Sequence, residues 1–391
     1  MSSSPLVRPI YLDHNATTRP DPRARAAAAA ALDETFANPS STHGFGRAAR
    51  DLVETSRAQV AALLCARSDE IVFTSGGTEA NHLAIRGAAR ALRTRTGRAA
   101  IVSSPLEHPS VLGSLDALAA EGFTIRLVPP DSCGRTDLDS VRRVLGDDVA
   151  LVSFAAANHE LGNLADVAAL AALAHTHGAL FHSDAVQAAG RIPLDASALG
   201  IDLCTLSSHK LYGPKGAGAV YQRRGVALAP LLVGGHQEKE RRPGTENVPG
   251  IAGFGVACAI ARAQLESDGP RIAALRDRLE AGAFKIPGAR RFGCDPRVPG
   301  TANLGFDGVD GELLMIALDL EGIAVSTGAA CSSGSIEPSR VIRALGVSLP
   351  VARQATRFSL GRDTSVEEID EVLAILPSLV ERIRQVEAAA I

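Results

Sequence analysis

The residues most able to do covalent chemistry lie in one short run, Ser207-Ser208-His209-Lys210, which follows an apolar stretch at 203–206. Only four of the 40 lysine and arginine residues are lysines: Lys210, Lys215, Lys239 and Lys285. Arginine stays protonated near neutral pH, so amine chemistry has four candidates. Lys215 lies between Pro214 and Gly216 as in an exposed turn, Lys239 sits in a charge run, and Lys285 follows Phe284 near a helix end. Lys210 stands just beyond an apolar strand, where desolvation lowers an amine pKa toward the neutral nucleophile. Its neighbours Ser207 and His209 are placed to hold one side of a phosphate.

Two further strand exits carry polar groups. Thr74-Ser75-Gly76-Gly77-Thr78 opens an apolar helix. Paired glycines there let backbone N–H groups close on an anion, with the Thr78 hydroxyl added. The run matches neither common nucleotide-binding glycine motif, and a tight turn with Thr78 as N-cap is the competing account. Asp184 follows a strand at 179–182; alone it would read as a local cap or salt-bridge partner. An anion cradle, a carboxylate and a desolvated lysine at adjacent strand ends together indicate pyridoxal 5′-phosphate. The cradle would hold the phosphate, Lys210 would form the imine, and Asp184 would keep the pyridine nitrogen protonated. His108, in Glu107-His108-Pro109, adds an imidazole at the same edge, for stacking or proton movement, against the alternative of an ordinary surface histidine.

Farther along, Cys331 stands among small and hydroxylic residues, a setting that favours a reactive thiol here over the other five cysteines, against the alternative of a loop cysteine without a role. The six cysteines are far apart with no C-x-x-C pair, so neither a zinc site nor a redox dithiol is expected. Arg357 interrupts an apolar strand and needs an anionic partner there, a substrate carboxylate or a buried ion pair.

The elements that must position these groups follow from periodicity. Short apolar runs at 70–74, 99–103, 124–128, 150–154, 179–182, 203–206 and 217–221 predict seven strands alternating with helices, one of them at 163–175. That alternation is the pattern of an α/β protein with a mostly parallel sheet flanked by helices, and such sheets bind ligands at the carboxyl ends of their strands. Beyond about residue 260 longer helices at 270–284 and 365–386 predict a smaller α+β domain. A length of 391 residues fits this division, and 46% hydrophobic with 21% charged residues is a globular composition. A net charge of −3 argues against a large nucleic-acid footprint. The start lacks an apolar signal region and no uninterrupted apolar stretch reaches ~18 residues, so a cytoplasmic location without membrane spanning is expected.

The sequence resembles the cysteine desulfurases, of the class V branch of fold-type I pyridoxal phosphate enzymes, essentially end to end. The motifs that carry the likeness are YLDHNATT at 11–18, NPSSTHG at 38–44, TSGGTEAN at 74–81, EH at 107–108, NHELG at 158–162, DAVQ at 184–187, SSHKLYGPKG at 207–216 and RPGTEN at 242–247. The cysteine segment at 325–339 is similar to the longer loop of the branch serving nitrogen fixation and general iron–sulfur assembly. The resemblance implies a large cofactor-binding domain at 15–260 with a seven-stranded sheet, and a small domain of 1–14 and 261–391 bearing the cysteine loop. It also implies site roles: Lys210 carries the cofactor, Asp184 pairs with its pyridinium, Gln187 bonds the ring hydroxyl, and His108 stacks on the ring. Gly77, Thr78, Ser207 and His209 hold the phosphate, with Thr245 from the other subunit of a homodimer. Asn158 and Arg357 orient the substrate, Asn38 helps hold its carboxylate, and Cys331 is the nucleophile.

The implied reaction removes sulfur from L-cysteine, giving L-alanine and a persulfide on Cys331 for iron–sulfur clusters or thiolation, delivered to a sulfur-acceptor or scaffold protein. The rival readings are a selenocysteine lyase or other class V β-lyase, which need not use Cys331, and a catalytically silent sulfur-carrier or scaffold homologue. His159 stands where many members have a second asparagine, which changes the polarity near the ring; the sequence stops at Ile391 without the longer tail with which some members dock a scaffold, which leaves open the scaffold that is served.

Overall fold

The computed structural model describes residues 9–328 and 338–389. Among them the strands are β1 (Ile10–Tyr11), β2 (Ile71–Thr74), β3 (Ala100–Ser103), β4 (Thr124–Leu127), β5 (Val149–Ser153), β6 (Leu180–Asp184), β7 (Leu203–Ser207), β8 (Gly218–Gln222), β9 (Ala289–Phe292), β10 (Thr301–Phe306), β11 (Ile323–Ala324) and β12 (Thr356–Ser359). The helices are α1 (Pro22–Asp33), α2 (Gly44–Leu63), α3 (Gly77–Thr96), α4 (Pro109–Ala120), α5 (Leu138–Val144), α6 (Val167–Thr176), α7 (Val248–Ala283), α8 (Gly311–Leu320), α9 (Arg340–Ala344), α10 (Leu349–Arg353) and α11 (Val366–Ala389).

The seven expected strands form one sheet in the order β2-β8-β7-β6-β5-β3-β4. Only β8 runs against its neighbours; the other pairs are parallel. One apolar cluster, built from α2, the start of α7 and one sheet face, covers one side, and another, built from α3 and α4, covers the opposite side. Burial on both faces explains why six of these strands read as near-continuous apolar runs, while the edge strand β4 has no fully buried residue. Each of β2, β3, β5, β6 and β7 nevertheless ends in a polar residue: Thr74, Ser103, Ser153, Asp184 and Ser207. Because β8 alone is reversed, these five ends share one edge, and that edge is the floor of the site.

A second core gathers Ile10 and Leu12 with the later half of α7, α8, α11 and the antiparallel sheet β12-β10-β9. β1 joins it through parallel pairing with β11. The chain beyond β1 then crosses to the large sheet: Asp13 bridges Ser359 of β12, and Asn15 and Ala16 lie over Lys210.

Two helices differ from expectation. The helix predicted from 163 begins at Val167, with Asp166 as N-cap accepting from Ala169 N. Asn163 is unavailable to a helix because its amide donates to the Cys133 carbonyl and its side-chain oxygen accepts from Cys294 N. The helix predicted from 270 belongs to α7, which starts at Val248 and carries Pro270 inside it. Its first half is rich in glycine for packing reasons: a Cβ on Gly253 would lie 2.5 Å from Pro214 Cγ, and one on Gly255 would lie 2.7 Å from Ser56 Cα. The boundary expected at 260 therefore falls within one continuous helix rather than in a linker. α7 is also the one helix among the described residues long and apolar enough to cross a membrane by length and composition, and most of that apolar window is buried inside the fold.

Candidate active site

Lys210 closes a single 3₁₀ turn, Ser208–Lys210, directly after β7. Its Nζ donates to the carbonyls of Asn15 (2.5 Å) and Ala16 (2.6 Å). The lysine is held by neutral acceptors, with no carboxylate in direct contact. Burial, reinforced by Arg191 and Arg357 and opposed by Asp13 and Asp184, lowers its pKa from 10.5 to about 8. With that value about a quarter of the amine is neutral at pH ~7.5, against ~0.1% for an ordinary lysine. Arg191 shares the anchor, donating to Asn15 Oδ1 at 2.5 Å. Neither Arg191 nor Asn15 stands out by type or spacing; the YLDHNATT motif contains Asn15, and nothing local marks Arg191.

The adjoining turn between β2 and α3 is stripped of side-chain caps. Gly76 occupies the N-cap position and makes no capping bond, so the first N–H groups of α3 remain available to an anion. Gly77 faces Ser207: a Cβ there would stand 3.2 Å from Val186 Cγ2 and 3.4 Å from Ser207 Cβ. Gly218 of β8 approaches so closely that its Cβ would lie 2.6 Å from the Gly76 carbonyl carbon. Thr78 is exposed beside this turn. His209 binds Thr17 Oγ1 through Nδ1 at 3.1 Å, and burial followed by the charges of Lys210 and Lys215 lowers its pKa to about 4, so its imidazole is neutral.

Asp184, at the end of β6, accepts from Asn81 Nδ2 (2.7 Å) and Val186 N (2.9 Å). A carboxylate offers about four acceptor positions, so capacity remains for a third donor. Ser207 Oγ and Gln187 Oε1 are buried without a hydrogen-bond partner, although Gln187 Nε2 is fixed on Asn15 O at 3.0 Å. An orphaned buried polar atom costs about 1–3 kcal/mol unless a ligand satisfies it.

His108 caps α4: its Nδ1 accepts from Ser110 N (3.1 Å) and bonds Ser110 Oγ (2.8 Å), which leaves Nε2 outward. His159 meets its ring edge-on at 5.4 Å between centroids. Burial holds both imidazoles below their ordinary pKa, His159 well below it. Asn158 uses its side chain on the loop itself, donating to Leu106 O and accepting from Glu160 N and Leu161 N. Arg357 donates to Asp13 Oδ1 at 2.7 Å and to His159 O at 3.0 Å, with its Nε left without a partner. The ion pair with Asp13 is thus present, and the buried Nε–H remains uncommitted.

Asn38 and Thr245 do not meet these groups within one chain. Asn38 is exposed and accepts from Ser40 N in its own turn. Thr245 is exposed beside Thr74, Ser75 and Arg242 in a cavity of about 80 Å³. Cys331 lies outside the described residues. Unforeseen at the site are two buried carboxyl groups, Glu107 and Glu160, pushed up by burial to about 8 and about 7 respectively.

A desolvated lysine, a carboxylate with spare acceptor capacity, orphaned Ser207 and Gln187 oxygens and an uncapped helix start suit the amine-reactive carbonyl, ring nitrogen, hydroxyl and phosphate of pyridoxal phosphate. Fold and site together define a fold-type I pyridoxal phosphate enzyme. Residues 10–372 match the aminotransferase class-V family model. The chain is 47% identical over 385 residues to a cysteine desulfurase of Rhodobacter capsulatus, covering 97% of this chain and 99% of that one. It is 46% identical over 380 residues to a cysteine desulfurase of Gluconacetobacter diazotrophicus, covering 96% and 94%. A solved NifS-like protein superposes with a TM-score of 0.88 at 33% identity, covering 97% of this chain and all of that one. The chain belongs to the cysteine desulfurases of the class-V aminotransferase family, and pyridoxal phosphate is its cofactor.

Proposed function

We propose that this chain takes sulfur from L-cysteine onto Cys331 as a persulfide and releases L-alanine, as a homodimer in the cytoplasm. The sulfur then serves iron–sulfur cluster assembly or thiolation through an acceptor or scaffold protein. The observation that carries the reading is the Lys210 amine, lowered to about 8 and resting on two backbone carbonyls beside Asp184. Bound pyridoxal phosphate supplies an electron sink next to the substrate α-carbon. Lys210 carries protons to and from that carbon, a task suited to an amine that titrates near working pH. Asp184 holds a proton on the ring nitrogen, and Gly77, Thr78, Ser207 and His209 hold the phosphate. The free N–H of Arg357 orients the substrate carboxylate, and Asn158 fixes the loop on which His159 and Glu160 stand.

Cys331, as thiolate, attacks the substrate sulfur. The sulfur–carbon bond breaks, its electron pair stays with the carbon fragment, and protonation of that fragment completes L-alanine. Thr245 enters the site from the partner subunit, which accounts for its exposure in the single chain, and Asn38 helps hold the substrate carboxylate. Phe36 and Phe45, 71% and 66% exposed with ring centroids 6.0 Å apart, supply apolar surface next to Asn38 for that association. The test is incubation with L-cysteine, quantification of L-alanine, and peptide mapping of the added sulfur. The reading requires persulfide on Cys331 and its loss, with alanine formation, in C331A. Unchanged turnover in C331A would instead indicate a β-lyase of the selenocysteine lyase type, and a protein without cofactor absorbance would indicate a silent homologue.

A further inference from the structure

The residues that precede and follow 329–337 converge on one side chain. On the far side, Ser339 Oγ donates to Glu160 Oε2 at 2.5 Å. The same hydroxyl accepts from Val341 N (3.1 Å) and Ile342 N (3.4 Å) as the N-cap of α9. On the near side, Gly328, at φ +78°, rests against the Glu160 carboxyl so closely that a Cβ would lie 2.7 Å from Glu160 Cδ. Two independent reasons, backbone conformation and contact, therefore require glycine there.

Glu160 is itself immobilised. Its N–H is bound by Asn158 Oδ1 at 2.9 Å, its carbonyl accepts from Asn303 Nδ2 at 3.3 Å, and its side chain is 5% exposed. α9 is seated by Val341 and Ile342 in an apolar cluster with Leu106 and Leu161. Ser326, two residues before Gly328, exchanges backbone bonds with Arg357, whose guanidinium donates to the carbonyl of His159. The groups facing the carboxyl are His159 Nε2 at 3.6 Å, the Ser339 hydroxyl and, at longer range, Arg357. A carboxyl this deeply buried costs free energy unless its contacts repay it. No hydrogen bond joins it to Lys210, Asp184 or His108.

We propose that Glu160 is a positioning residue for sulfur transfer: it bonds Ser339 and packs against Gly328, and thereby fixes the junction from which the segment bearing Cys331 is presented to the substrate. The inference rests on Cys331 being the thiol that receives the sulfur. Gly328 and Ser339 are the described residues on either side of the cysteine segment, and both meet the one buried carboxyl. Keeping that junction in place favours the productive orientation for transfer. Releasing it slows transfer, while cofactor and cysteine binding stay as they are.

The test compares wild type, E160A, E160Q, S339A and S339T as holoenzymes in single-turnover reactions. It follows persulfide on Cys331 by quenched peptide mapping, and cysteine binding by the change in cofactor absorbance. In E160A persulfide formation should slow by at least about tenfold, while the cysteine midpoint moves less than about threefold. E160Q keeps an oxygen acceptor for Ser339 and should stay within about threefold of wild type. S339A removes the same bond from the other side, and S339T restores it, so this pair decides the matter if E160A does not fold. A wild-type rate in S339A, an E160Q as slow as E160A, or equal losses of cysteine binding and transfer would each overturn the proposal. Sulfur on a different cysteine in the wild type would overturn the Cys331 reading beneath it; sulfur on Cys331 at an unchanged rate in E160A would overturn the role of Glu160 alone.

Discussion

Glu107 offers a direct measure of how dry the site is. Its carboxyl is 4% exposed, accepts from Ala155 N at 3.0 Å through Oε1, and leaves Oε2 without a partner. Burial, opposed in part by the Ala155 bond and assisted by the charge of Asp184, raises its pKa from 4.5 to about 8. The folded protein then retains a proton that the unfolded chain releases between these values. Stability is untouched by this group below about pH 4.5, falls as pH rises through the window, and is flat again above about pH 8. A shift of ~3.5 units corresponds to at most ~4.8 kcal/mol, of which ~2 is lost by about pH 6 and ~4 by about pH 8. Glutamine reproduces the protonated shape and the acceptor for Ala155 without the titration. E107Q should therefore gain on the wild type by ~2 kcal/mol more at about pH 8 than at about pH 6. Urea unfolding of both holoenzymes at equal protein concentration measures the two differences. Parallel pH profiles for wild type and variant would show that Glu107 does not hold its proton, and the dry-site argument would fall with it.

Three other substitutions probe the same pocket. R191M removes a positive neighbour of Lys210, so the Lys210 amine should titrate higher by up to about one unit, read from the pH dependence of amine labelling at the Lys210 peptide of cofactor-free protein; an unmoved or lowered midpoint contradicts the assignment. G77A places a methyl group 3.2 Å from Val186 Cγ2 and 3.4 Å from Ser207 Cβ, and cofactor dissociation measured by dialysis should rise about tenfold with little change in melting temperature. D184N keeps an acceptor for Val186 N but loses the negative charge, and turnover should fall by at least about a hundredfold in protein that still binds cofactor; near-normal turnover would remove Asp184 from its assigned role.

Much of this site was legible because α/β sheets place function at strand ends, and strand ends can be read locally. The seven strands of the large sheet lie within two residues of their expected positions, and Lys210, Asp184, Ser207 and Gly77 follow from where those strands stop. Asn163 shows where local reading fails: it fits a helical period, but bonds to Cys133 and Cys294 from distant segments outweigh that preference. The start of α7 is obscured by Gly253 and Gly255, poor helix formers retained for close contact with other segments, and by Gly250, which packs on the N-cap Asn247. Glu160 and Arg191 were invisible for a related reason. Their importance lies in Ser339, Gly328 and Asn15, well over a hundred positions away along the chain, and no window of sequence contains those pairs. The family resemblance assigns Asn158 to the substrate, yet both ends of its amide hold backbone.

The 36 residues of α7 make a rod ~54 Å long that belongs to both hydrophobic cores. Val248 to Ala261 is built into one core, and Leu275 to Ala283 into the other. Neither lobe owns a complete set of packing partners, so cutting the gene anywhere within this rod leaves each fragment with an exposed apolar socket. Expressed apart, the halves should be insoluble; expressed together, they should rescue one another by complementation.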